Sequence, residues 1–204
     1  MVLPRFMPGH HNILWPSFFK GVRNWIQANF IVRPNFDRSF DIDEFTKGAR
    51  QAFLTVCDRV ADGDANSMKG LVTDEVLDAV EKGLKNLSTA DRETFRRKDT
   101  DIYLTFPYQL GIIMDDDDAN KRWVEIMMVY HTLKNFEDLQ KQNVNAQDLQ
   151  KVSDRFLFAN FRFSRNFSKD VSPDQSDWTI NYINFFNPES ERAELDAEKK
   201  SQNS

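Results

Sequence analysis

Glu125 and His131 are the residues best placed for proton-transfer chemistry, a carboxylate and an imidazole in one apolar run, Arg122–Leu133. Side chains alternate along a strand. Trp123, Glu125, Met127, Val129 and His131 would therefore share one face, and Val124, Ile126, Met128, Tyr130 and Thr132 the other. With the second set under helices, the first lines an exposed concavity, where a carboxylate and an imidazole can act as acid and base. Six residues of strand span about 20 Å, too far for a direct pair. The face is expected to be exposed surface or a binding groove rather than a catalytic centre.

Other candidates are weaker. His10 and His11 adjoin, with no third ligand at metal-site spacing. Asp115–Asp118 could gather a hard cation. The loop, however, has Ala119, Asn120 and Ile126 where an EF-hand needs its fifth, sixth and twelfth residues, so a solvated hairpin tip is expected. Cys57 is the only cysteine, which excludes an internal disulfide. It falls on an apolar helical stripe, with nothing beside it to lower its pKa. Phe161, Arg162, Phe163, Arg165 and Phe167 mix rings with cations, as base-stacking platforms do. Period two splits them, with Arg162 and Asn166 opposite the rest, which suits an apolar strand face better. No nucleophile elbow, zinc-protease helix, P-loop or dinucleotide fingerprint occurs. No catalytic residue, metal or cofactor is expected, and the protein is read as no enzyme.

The elements that would carry these residues follow from periodicity. Residues 12–32 form an expected amphipathic helix with Pro16 in its first turn and Phe18, Phe19, Val22, Trp25, Ile26 and Phe30 on the apolar side. Lys20, Arg23 and Arg33 give this segment a basic character. The helix either docks on its own domain or contacts a membrane surface or partner. Asp41 and Glu44 make a capping-box-like start for a helix ending at Gly63. Thr73 caps a helix to about Leu87, and Ser88 with Asp91 caps a short one to about Arg97. From Thr100 the period becomes two. Strands are expected at 100–106, Gln109–Met114, Arg122–Leu133 (central), Phe156–Phe167 and Trp178–Phe186, with a polar connection over 134–152. Helices followed by an antiparallel meander indicate an α+β domain.

Composition sets the outer limits. The chain has 204 residues, 40% hydrophobic and 29% charged, which suits one ordinary globular domain. Phe is over-used, with 18 against 4 Trp and 4 Tyr. Net charge is -5, which argues against general nucleic-acid binding, DNA included. The charge is uneven: residues 1–40 hold five Lys/Arg and one acid, while the remainder is acidic. No uncharged apolar run reaches the length of a membrane span. The first 36 residues lack acids but are poor in Ser and Arg, so no presequence is assigned.

The segment Phe36–Phe53 carries a specific signature: Phe36–Asp37, Glu44–Phe45, Gly48–Ala49 and Ala52–Phe53. It resembles the opening of the domain shared by the membrane-tethering subunit of the mitochondrial presequence import motor and its relatives. Phe163–Phe167, Val171–Asp174 and Trp178–Ile180 resemble the end pattern of those relatives that bind the m-AAA protease in the matrix. Gln175–Asp177 depart from it, separating Pro-Asp from Trp-Thr-Ile.

The resemblance implies an NTF2-like α+β fold, with N-terminal helices packed on a curved antiparallel sheet. The expected divisions are 1–34, a basic aromatic lead and helix; 35–187, the α+β domain; and 188–204, a disordered acidic tail. It implies a matrix location peripheral to the inner membrane and no catalysis. It also implies binding to the m-AAA protease and help in maturing a small regulatory subunit of the calcium uniporter. Small inner-membrane clients and anionic lipid are the expected contacts. A mitoribosome-associated tether and, after it, a small-molecule carrier are the alternatives.

Overall fold

A computed structural model describes residues 6–7, 12–118, 120–142, 151–172 and 176–187. His10–His11, Ala119 of the hairpin tip, Pro173–Asp174 and the 188–204 tail lie outside them. The helices are α1 (Phe18–Ile26), α2 (Arg33–Asn35), α3 (Ile42–Asp62), α4 (Asp74–Leu84) and α5 (Thr89–Glu93). Four strands follow: β1 (Ile102–Met114), β2 (Arg122–Leu133), β3 (Phe156–Asn166) and β4 (Thr179–Phe186). A short helix, α6 (Phe136–Lys141), lies in the polar connection after β2. The strands pair as an antiparallel meander, β1-β2-β3-β4, in a curved, unclosed sheet. This is the α+β arrangement expected from the sequence.

Local chemistry sets the helix ends. The Asp41 carboxylate accepts from the N–H groups of Asp43 and Glu44, at 2.9 and 3.0 Å, and so starts α3. Glu44 pairs instead with Lys47 at 2.6 Å. Gly63 ends the helix at φ 73°, a left-handed conformation that glycine adopts without strain. Ser88 and Asp91 form a full reciprocal capping box. Thr73 stands at the cap of α4, but its hydroxyl is buried without a hydrogen-bond partner among the described residues.

The two expected strands around Pro107 are one strand. Pro107 is accommodated because β1 is an edge strand, with register shifts at Ile102/Leu104 and Pro107/Gln109. The Phe excess builds the core between α3–α5 and one sheet face. Phe53 stacks on Tyr130 at 4.3 Å, Phe95 meets Phe185 edge-on at 5.1 Å, and Phe161 meets both Phe53 and Phe185. The Tyr130 hydroxyl donates to the Ala49 carbonyl at 2.9 Å, tying β2 to α3. Val124, Ile126, Met128 and Tyr130 are buried on this side, as the alternation requires. Cys57 is buried in the same core, which pushes its thiol pKa far up and leaves it unreactive.

Candidate functional site

The opposite sheet face is less open than alternation suggests. Residues 12–17 cross it as a strap. The side chain of Asn160 on β3 bonds both backbone groups of Ile13, accepting at 2.8 Å and donating at 2.9 Å. Asn184 on β4 donates to the Asn12 side chain at 2.5 Å. His131 on β2 hydrogen-bonds the Leu14 carbonyl, and Trp15 meets its ring edge-on at 5.8 Å.

His131 is 1% exposed, stacked on Phe158 at 4.2 Å and flanked by Tyr103 and Phe106. Burial lowers its pKa, and its Nε2 has no hydrogen-bond partner among the described residues. Met127 and Val129 are buried too, while Trp123 and Glu125 are half-buried. The expectation of an exposed concavity is thus corrected: the chain's own N-terminal segment fills much of it. An opening of about 360 Å³ remains, lined by Lys20, Tyr108, Glu125, Met127 and Arg162 among others. Glu125 is held there by Asn181 at 2.7 Å and lies 3.5 Å from Arg162. His131 and Glu125 have separate sets of partners, and nothing couples them as acid and base.

Beyond the strap, the helix begins at Phe18, later than expected, with Ser17 at its cap and Pro16 before it. It passes through a π-helical stretch, Gln27–Val32, and ends at Asn35 in α2. It rests on β1 by its polar side. Asn24, 5% exposed, donates to the Pro107 carbonyl at 3.2 Å and accepts from the Leu110 N–H at 2.9 Å. It satisfies backbone groups on an edge strand interrupted by proline. Lys20 turns inward as well, with its ammonium 3.9 Å above the Tyr108 ring and 3.1 Å from Gln109. Ala28 and Val32 complete the buried side.

The aromatic side faces water. Phe18 and Phe19 are 79% and 84% exposed, and Trp15, Val22, Trp25, Ile26 and Phe30 are also exposed. The π stretch explains the alignment. Phe18, Val22, Ile26 and Phe30 recur every four residues, as do Asn24, Ala28 and Val32. In a pure α-helix such a stripe drifts by about 40° per step. The wider π turn takes up the drift and brings Phe30 against Trp25 at 5.7 Å. Arg23 and Arg33 are exposed beside this face.

Of the expected site residues, the structure brings Phe18, Phe19, Trp25 and Phe30 to one outer surface with Arg23 and Arg33 near it, and turns Lys20 inward. It also adds Asn24, Asn160, Asn184 and Trp15, which sequence reasoning passed over. Asparagines inside otherwise apolar strands were the signal for two of them, since a buried amide needs partners. Among the described residues no group of three His, Cys, Asp or Glu could hold a metal, and no helix is long and apolar enough to cross a membrane.

Residues 33–104 match the Tim44-like domain family. The chain is 29% identical over 172 residues to "m-AAA protease-interacting protein 1, mitochondrial" of Rattus norvegicus and of Mus musculus, and 27% identical over 179 residues to the Homo sapiens protein. Each match covers 79% of this chain and 57% of the relative, so the chain spans little more than half the length of these proteins. The chain thus carries a Tim44-like match from α2 to the start of β1 and is similar, over most of its length, to the mammalian mitochondrial m-AAA protease-interacting protein 1.

Proposed function

We propose that the protein is a non-enzymatic adaptor of the mitochondrial matrix, peripheral to the inner membrane, that binds the m-AAA protease. In this reading it assists the maturation of small inner-membrane clients, among them a regulatory subunit of the calcium uniporter. The observation that carries it is the orientation of α1. A helix anchored by Asn24 and Lys20 holds Phe18, Phe19, Val22, Trp25, Ile26 and Phe30 outward with the strap's Trp15. Contiguous apolar surface of this kind marks an interaction site. Covering one such side chain is worth about 1.5–3 kcal/mol. Exposed Arg23 and Arg33 add attraction to anionic headgroups, about 1 kcal/mol each. The names of the mitochondrial relatives support the choice of protease.

The test is affinity capture of the tagged protein from mild-detergent mitochondrial extract. The wild type should recover m-AAA protease subunits. Phe18→Asp with Trp25→Asp, both exposed and tolerable for folding, should deplete them at least tenfold. Undiminished recovery by the variant removes α1 as the contact. Recovery of ribosomal proteins without the protease favours the mitoribosome alternative. Flotation with anionic vesicles separates lipid from protein contact: salt-sensitive binding lost on Arg23→Glu with Arg33→Glu assigns α1 to the membrane.

A further inference from the structure

A second surface, away from α1, has the form of a recognition groove. It runs along the first half of α3 and encloses about 450 Å³ between that helix, Leu71 and Trp178. Its floor is aromatic. Phe45 meets Trp178 at 4.7 Å and Phe163 at 5.5 Å, and Phe40 meets Trp178 at 6.1 Å. Its rim is acidic, with Asp37, Asp41, Glu44 and Asp177. Arg165 is the one cation among the lining residues, and its guanidinium is already paired with Asp37 at 3.0 Å.

Gly48 lies in this wall, inside a 21-residue helix. A glycine there costs about 1 kcal/mol relative to alanine. Neither backbone conformation nor packing among the described residues requires it: its φ is not positive, and a Cβ added to it meets none of them within 4 Å. What the glycine does provide is an unobstructed groove wall. Ala52, one turn on, extends the same open strip.

We propose that this groove binds a peptide segment of a partner protein that presents a large apolar side chain next to lysine or arginine. The apolar residue would sit on Phe45 and Trp178 against the bare wall at Gly48 and Ala52. The cation would meet Asp41 and Asp177 at the rim, and Glu44, whose carboxylate it would share with Lys47. The surplus of carboxylates selects a basic segment over an acidic one, and the apolar floor gives it more than a screened surface attraction. The groove is separate from the exposed face of α1, so it stands or falls independently of the adaptor reading.

Two fluorescein-labelled ten-residue peptides serve as probes, alike in Leu and Phe content, one with four lysines and one with four glutamates. Fluorescence anisotropy with the full chain should show the lysine peptide binding at least tenfold more tightly. Gly48→Leu should lower that affinity at least tenfold while leaving the melting temperature equal or higher. Gly48→Ala should keep binding, and the exposed reversals Glu44→Lys with Asp177→Lys should abolish the preference for the basic peptide. Phe18→Asp with Trp25→Asp should change nothing. Equal binding of the two peptides overturns the proposal, as does insensitivity to both Gly48→Leu and the charge reversal. A dimer by sedimentation that disappears with Gly48→Leu and also with Trp25→Asp overturns it in favour of α1 from a second copy.

Discussion

His131 shows how one side chain can satisfy a strand's alternation and still have no acid–base role. Its ring packs against other rings and bonds the Leu14 carbonyl, and its Nε2 has no hydrogen-bond partner among the described residues. Burial therefore holds the imidazole neutral, with a pKa below the ordinary 6.5. The unfolded chain takes up a proton near pH 6.5 and the folded one resists it. Between the two pKa values the unfolded state binds more protons, so stability falls as pH drops below 6.5 and is fully present above it. One proton limits the slope to about 1.4 kcal/mol per pH unit. Urea midpoints measured from pH 7.5 to 5 should fall for the wild type and stay flatter for His131→Phe. Parallel declines would contradict a neutral buried imidazole. The alternation of β2 was legible and placed Met127, Val129 and His131 together. Which face stays open was not, because the covering residues, 12–17, lie far upstream and nothing local to β2 specifies them.

At the scale of elements, α1 is the instructive case. Its apolar stripe was plain in the sequence, and such a stripe usually faces the core. Here β1 decides otherwise. Pro107 interrupts the edge strand, and the helix answers with an amide that takes both a carbonyl and an N–H. The requirement arises in one element and is met in another, so no window of sequence around Asn24 displays it. Asn24→Ala removes both hydrogen bonds across this seam. The expected cost is about 2 kcal/mol in denaturant unfolding. Trypsin should cut after Arg23 several-fold faster in the variant than in the wild type. Unchanged cleavage would mean that Ala28, Val32 and Lys20 suffice to dock the helix. The caps of α3 and α5, by contrast, were readable residue by residue, since Asp41, Gly63, Ser88 and Asp91 act on groups within four positions of themselves.

The whole molecule has two unequal layers on one sheet. Large rings from α3, the strands and Phe95 fill one side, while the other carries the strap, and α1 docks on β1 largely through an amide and one ammonium. Apolar burial dominates stability, so the two layers should open at different free energies. Native-state hydrogen exchange is expected to release the amides of α1 well before those of β2 and β3. Exchange of all three in a single step would show one cooperative unit instead. The order of helices then strands was legible because the hydrophobic period changes once, near Thr100. The layering was not, because it depends on where the segment 12–17 lands after the sheet exists.

That dependence has a consequence for assembly in time. Asn160 and Asn184, which hold the strap, stand 147 and 172 positions beyond their partners Ile13 and Asn12. Contacts of such long sequence separation form late in folding. The partners that orient α1 also come after it: Pro107 and Leu110 of β1 stand 83 and 86 positions beyond Asn24. Until β1 is in place, Phe18, Trp25 and Phe30 belong to an unanchored hydrophobic segment. Afterwards the same residues form an ordered ridge, so its display reports that the first strand of the sheet has formed and met the helix.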